Sequence, residues 1–402
     1  MTTKDFFTLD MRFLIIPLAG GVGLGPLTRC LAVAREAVGR GHEVVFLCQK
    51  SFADSIKKFG YKTYLAPTPQ PGSITPPPFR LSDIAIARGW VDPAYLEKAV
   101  QAERTIIRAF RPDCIFTETQ FSVSISAVLE GIPWVAATSW ADHPDFTSPL
   151  YSSRETATGF EVGVNRILDR YHLPNINDLN ELAYLRADLK IAPTIPELQP
   201  ELTKVPHVHF VGYLLSPQME QGDLPPDVRR WPKTEPVIYV YMSPGDIAPN
   251  QWIKTLVKTF ANTNFRVMVA LAPLTVQPRK LPTVSNIKFY KSLPGSSAIQ
   301  RANLVITHGG GNTVSNSLFY GKPLMIFSHR YAERDYNGRS VERLGAGLNF
   351  RTEQFNPKDT FQNAQKLIAD TTFTHQARRL GAKMRQLGGS RKTLILMEQL
   401  LP

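Results

Sequence analysis

Short apolar runs alternate with stretches of helical periodicity along nearly the whole chain. Residues 12–18 make a first buried-strand run, and a glycine-rich loop follows at 20–25. Leu27, Leu31, Ala34 and Val38 then repeat at helical spacing until Gly39 and Gly41 stop the helix. A second strand is predicted at 43–48, and Ser51 is placed to cap the helix behind it, which ends near Gly60. Residues 67–78 are rich in proline and predict a long surface loop. Next come a helix over 93–110, a strand over 114–118, a helix over 120–130 and a strand over 134–139, with two short strands between 188 and 212. Such alternation predicts a parallel sheet covered by helices on both faces.

A polar, proline-rich segment at 216–236 interrupts the pattern, which restarts with a strand at 237–243. A helix over 250–260, strands at 266–271, 286–291, 304–307 and 324–327, and a last apolar helix over 393–401 complete the second half. The 402 residues exceed what one ordinary core accommodates. The expected organisation is an α/β Rossmann-like domain over 1–215, a linker over 216–236, a second Rossmann-like domain over 237–385 and a terminal helix segment over 386–402.

Charge adds a preference for anionic partners. The formal net charge is +12, which favours phosphorylated ligands, acidic headgroups or nucleic acid. Basic residues gather at Arg378, Arg379, Lys383, Arg385, Arg391 and Lys392. A solvated helix face accounts for them first, and peripheral contact with an anionic membrane second. No zinc-finger spacing or aromatic RNA-binding signature accompanies the charge, so nucleic acid is not expected. Cys30, Cys48 and Cys114 sit in apolar patterns, an odd number without metal-site spacing, as expected of buried thiols in a reducing cytoplasm. No run approaches a spanning helix, and the first residues lack a signal-peptide pattern.

The loop at 20–25 invites a dinucleotide-binding reading that fails on inspection. Gly21 and Gly23 fit the first two positions of that fingerprint, but Pro26 occupies the third, and the second strand ends in Gln49 and Lys50 without an acidic residue for a ribose. Gly21, Gly23 and Gly25 still allow backbone amides to approach a ligand at a helix start. The most informative segment is Leu304-Val305-Ile306-Thr307-His308-Gly309-Gly310-Gly311-Asn312-Thr313. A buried strand ends in bare backbone that can curl around an anion, and Asn312 or Thr313 can cap the following helix and donate to phosphate oxygen. Ser328 to Asp335 puts a polar cluster at the next strand end, where carboxylates and arginine can hold sugar hydroxyls. Ser243 and Gly245 form a third such turn.

In this order the residues resemble the GT-B glycosyltransferases, the nucleotide-sugar-dependent enzymes related to plant and bacterial small-molecule glycosyltransferases and to the peptidoglycan N-acetylglucosaminyltransferase. The likeness runs over nearly the whole chain and is strongest from Ala302 to Gly347, with His308, Gly310, Asn312, Thr313, Gly321, Pro323 and Asn337. It implies a GT-B fold: two facing domains, the acceptor on the N-terminal side, and a final helix crossing back to the N-terminal domain. It implies that Ser243, Gly245, His308, Gly309, Gly310, Gly311, Asn312 and Thr313 bind the donor diphosphate, and that Asn316, Glu333 and Arg334 face the ribose and sugar. The chain departs from the family in four places. Ser292 or Tyr290 falls where a tryptophan stacks on the base, and Asn316 replaces a frequent carboxylate. Arg334 stands for glutamine, and Gly23 or Pro26 falls where relatives carry a general-base histidine.

The expected reaction is inverting transfer of a sugar from a nucleoside-diphosphate sugar, a UDP-sugar before a dTDP- or GDP-sugar, to a small-molecule or lipid-like acceptor, anionic acceptors included. No cofactor or metal is expected. A base, where the acceptor needs one, is sought at Asp142, His143 or Glu118, which follow strand ends. The alternatives are a nucleotide-sugar hydrolase and a non-catalytic partner protein of the same fold.

Overall fold

The computed structural model describes residues 10–17, 24–71, 80–148, 159–242, 248–271, 281–328 and 331–401. Seven strands form the first sheet: β1 (Arg12–Ile16), β2 (Glu43–Cys48), β3 (Lys62–Leu65), β4 (Cys114–Glu118), β5 (Trp134–Ala137), β6 (Leu189–Ala192) and β7 (Val208–Phe210). Six form the second: β8 (Val237–Tyr241), β9 (Arg266–Ala270), β10 (Ile287–Tyr290), β11 (Leu304–Thr307), β12 (Leu324–Ser328) and β13 (Gly347–Arg351). The orders are β3-β2-β1-β4-β5-β6-β7 and β10-β9-β8-β11-β12-β13. Every strand pair is parallel.

The apolar runs become central strands because both their faces are covered. Leu14 and Ile16 join one core layer, while Phe13 and Ile15 join the layer on the other face. In each sheet the order reverses beside the first strand, between β1 and β4 and between β8 and β11. At such a reversal the loops leaving adjacent strands diverge and open a crevice at the strands' carboxyl ends. Gly25, which opens the helix after β1, and His308 after β11 therefore sit at the two crevices.

The fold is α/β with two Rossmann-like parallel-sheet units, as expected, and differs from the sequence reading in detail. Helix Lys50–Lys58 starts one residue before Ser51, with Gln49 as its N-cap and no side-chain capping bond. The interdomain segment holds two one-turn helices, Pro217–Glu220 and Pro226–Arg229. The last helix is Gly389–Glu398 and packs on the N-terminal domain: Leu394 and Met397 are fully buried beside Phe13, Leu31 and Val44. Part of the C-terminal basic cluster also joins elements: Lys383 pairs with Glu197 and Arg385 donates to the Phe319 carbonyl. Among the described residues no helix is long and apolar enough to cross a membrane.

Candidate active site between the two sheets

β11 delivers His308 at its carboxyl end, with 9% of the residue's surface left exposed. Its ring lies 5.9 Å from that of Tyr241 at the end of β8 and is hydrogen-bonded to the Tyr241 backbone. Burial and the nearby Arg334 guanidinium hold its pKa well below the usual histidine value, so the imidazole is neutral at pH 7. Gly309 follows with φ +88°, and a β-carbon there would stand 2.8 Å from the Arg334 carbonyl oxygen. Glycine is thus required twice over, by backbone angle and by space. A β-carbon on Gly310 would stand 2.7 Å from His308 Nε2, so the imidazole lies directly over bare backbone.

Helix Gly311–Phe319 opens on this turn. The Gly311 amide donates to Glu333 Oε1 at 3.0 Å, and Asn337 Nδ2 donates to the same oxygen at 3.2 Å and to the Gly309 carbonyl at 3.0 Å. A carboxylate of the chain itself therefore rests on the positive end of the helix, where an anion is favoured. Asn312 and Thr313 do not cap this helix, contrary to the sequence expectation. The N-cap is Gly310, which makes no side-chain bond, and both residues fall inside the first turn. Glu333 satisfies the helix start from helix Ala332–Arg343 instead. Arg334 lies over the Tyr331 ring at 4.2 Å, and its Nη1 is buried without a partner among the described residues.

Asn316 is buried one turn beyond Asn312. Its amide donates to Ser296 Oγ and to Glu220 Oε1, both at 3.0 Å. Glu220 comes from the interdomain segment, where it also accepts from the Tyr213 hydroxyl and, at 2.8 Å, from the Ser216 amide. Burial pushes its carboxyl up to about 7. Sequence reading missed Glu220, since one acidic residue in a proline-rich stretch carries no signal. Tyr290 donates to Asp227 at 2.8 Å, and Ser292 is exposed. Gly21, Gly23, Ser243 and Gly245 lie outside the described residues.

From the other sheet, Gly25 opens helix Gly25–Gly39 against the cradle: a β-carbon on it would stand 3.4 Å from Asn312 Cβ. The three base candidates differ sharply. Glu118, at the end of β4, is buried and held by Arg29 in two parallel bonds of 2.6 Å each. His143 stacks on Trp140 at 4.6 Å, accepts the Asp145 amide at 3.0 Å and lies 6.3 Å from the Tyr184 ring, all within its own domain. Burial lowers its pKa. Asp142, closing the turn Trp140–Asp142, is raised to about 7 by burial, then by Glu333 across the crevice and by Glu118. Of the three it alone carries an electrostatic coupling to the second domain among the influences resolved for each. The turn bearing it is fixed to that domain by Phe146, whose ring meets Tyr336 edge-on at 5.7 Å.

Two parallel-sheet domains whose switch-point crevices meet, with an anion-ready helix start on one side and a perturbed carboxyl on the other, have the architecture of the GT-B class. The chain has the GT-B fold, and its residues 261–391 match the glycosyltransferase family 28 C-terminal domain. It is 25% identical over 384 residues to the PGL/p-HBAD biosynthesis glycosyltransferase of Mycobacterium tuberculosis, covering 89% of this chain and 85% of that protein. Among solved structures it is similar to the glycosyltransferase of kitacinnamycin, with a TM-score of 0.75, 19% identity and coverage of 98% and 100%. It is similar also to the spinosyn rhamnosyltransferase SpnG complexed with thymidine diphosphate, with a TM-score of 0.69, 16% identity and coverage of 96% and 100%.

Proposed function

We propose that the protein transfers a sugar, with inversion, from a nucleoside-diphosphate sugar to a small-molecule or lipid-like acceptor. The observation that carries this reading is the Glu333 carboxylate on the Gly311 amide, an internal anion at the helix start beneath His308. A diphosphate is a stronger ligand for the same amides, because it brings more charge and more acceptor oxygens. When it binds, Glu333 is released toward the sugar hydroxyls. Gly309 to Thr313 and His308 receive the diphosphate, with Ser243 and Gly245 beside them, and Asn316 with Glu220 faces the ribose. Gly21, Gly23 and Gly25 border the acceptor.

Asp142 is the base of this scheme. Burial and Glu333 raise its pKa to about 7, the range in which a carboxyl both accepts and releases a proton readily. Glu118 is committed to Arg29, and His143 to its own loop. Helix amides supply the charge stabilisation for which other transferases use a cation, so the scheme assigns no metal. The +12 charge suits an anionic acceptor or a site of action at an acidic membrane surface, with the protein otherwise cytoplasmic.

A UDP-sugar is the primary donor assignment. A dTDP-sugar is the second, favoured by the thymidine diphosphate held in the similar spinosyn rhamnosyltransferase structure. Thermal shift with UDP, dTDP and GDP separates them, since a ligand at 100 times its dissociation constant adds about 2.7 kcal/mol. The correct nucleotide raises the melting temperature of the wild type, and Gly309→Ala, which forces a β-carbon against the Arg334 carbonyl, loses that rise. No shift with any nucleoside diphosphate contradicts the reading.

A further inference from the structure

The geometry points to Arg29 as a catalytic residue that neutralises the departing diphosphate from the N-terminal domain. The inference rests on the donor reading above and adds a contact from the opposite side of the crevice. Arg29 stands one turn into helix Gly25–Gly39, on the same face as Gly25. Its Nε and Nη2 are spent on Glu118, which fixes the plane of the guanidinium. Nη1 is the remaining nitrogen, and it lies 3.7 Å from the point where a Gly25 β-carbon would stand. Asn312 Cβ, in the first turn of the cradle helix, lies 3.4 Å from that same point. The third nitrogen and the cradle helix therefore converge on the bare backbone of Gly25.

Three observations make this an arrangement for an anion. The two helices meeting here, Gly25–Gly39 and Gly311–Phe319, both present their N-terminal ends, neither has an acidic residue in its own first turn, and neither is capped by the side chain of its own N-cap residue. Their dipoles therefore add to the arginine's charge instead of opposing it. Arg29 keeps about a fifth of its side-chain surface exposed, whereas its partner Glu118 is sealed at 1%. The cation faces the crevice and the carboxylate behind it does not. Finally, Arg29 is coupled electrostatically to Glu333, the carboxylate that rests on the cradle amide, so the charge already reaches the position a phosphate takes. Glu118 thereby acquires a positioning role: it holds the fork so that one nitrogen can aim.

In the transfer, the bond between the anomeric carbon and the β-phosphate oxygen breaks, and its electron pair stays with that oxygen. The acceptor's nucleophilic atom bonds to the same carbon, its proton passes to Asp142, and the nucleoside diphosphate departs with one more negative charge than it carried as an ester. Nη1 of Arg29 meets that new charge. This is stabilisation that grows along the reaction and accelerates it.

The test uses the full chain with Arg29→Lys, Arg29→Gln and the double variant Arg29→Gln/Glu118→Gln. Removing Arg29 alone leaves a buried carboxylate unpaired and can unfold the domain, whereas the double variant removes both charges and keeps a neutral hydrogen-bonded pair. Each protein is measured for kcat with the nucleotide sugar and for affinity toward the matching nucleoside diphosphate and monophosphate. The folded double variant should lose about 10²–10³-fold in kcat, as when one transition-state donor is removed. Its diphosphate affinity should fall toward that for the monophosphate, which should match the wild type. Arg29→Lys should recover part of the rate. A double variant that turns over within threefold of the wild type, or that loses monophosphate and diphosphate affinity alike, overturns the assignment and leaves Arg29 structural. Absence of transfer and of diphosphate binding in the wild type overturns the donor reading itself, an outcome separable from the first two.

Discussion

Asp142, His143 and Glu118 look equivalent on paper: each follows a strand and each can accept a proton. Tertiary surroundings divide them. Glu118 is neutralised by two bonds from Arg29, and His143 lies on Trp140 with its Nδ1 accepting a neighbouring amide. Asp142 is raised by burial and by Glu333 to about 7. The sign of the pH dependence follows. With Asp142 as the proposed base the reactive form is the carboxylate, so kcat/KM toward a neutral acceptor should rise with pH up to about 7 and then level off. Asp142→Asn should lower the rate by about 10²–10⁴-fold and remove the rise. A full rate in that variant, with the acid limb intact, excludes Asp142. His308 and Gly309 to Gly311 were readable from sequence because bare backbone after a strand is a local feature. Arg29 was not legible in the sequence, where it is one basic residue among many. Its pairing with Glu118 spans 89 positions and has no sequence signature.

At the scale of elements, the long periodic segments were the most legible. The pattern over 93–110 corresponds to helix Pro93–Phe110, where Asp92 accepts from the Tyr95 amide, Pro93 opens the first turn and Arg111 ends it in the left-handed region. What went unread are edge and cover elements. β3 and β13 are half-exposed edge strands of mixed polarity, and the sequences Lys62–Leu65 and Gly347–Arg351 lack an apolar run. Helix Leu81–Ala87 follows directly on the proline-rich stretch, and its start is held by Asp83, whose carboxylate accepts the Arg80 amide at 2.9 Å, not by a common N-cap residue. The terminal helix Gly389–Glu398 starts four residues earlier than its apolar pattern indicates, because Gly388 and Gly389 in the left-handed region re-aim the chain. Its role is apolar anchorage on the other domain. Leu394→Ala removes a fully buried side chain and should destabilise the protein by about 2–5 kcal/mol in denaturant unfolding. A change below about 0.5 kcal/mol would show that the helix is not anchored there.

Across the whole molecule, the chain leaves the first domain and returns to it at adjacent positions. The Gly389 amide donates to the Val211 carbonyl at 2.7 Å, and a β-carbon on Gly212 would stand 2.1 Å from the Met384 carbonyl. The outgoing and returning chains thus touch backbone to backbone at positive-φ glycines, while Arg29, Asp142, Glu220 and Glu333 approach from separate segments at the crevice. The division of labour is between a cradle that one strand and one helix can build and a charge environment that only the docked pair of domains creates. The first was visible in sequence and the second was not. The most direct measurement is a crystal structure with the nucleoside diphosphate that gives the largest thermal shift. The account predicts its β-phosphate within hydrogen-bonding distance of the Gly310 to Asn312 amides, beside His308, with Glu333 displaced from the Gly311 amide and Arg29 Nη1 turned to a phosphate oxygen. A diphosphate bound elsewhere, with Glu333 still on the Gly311 amide, would contradict it.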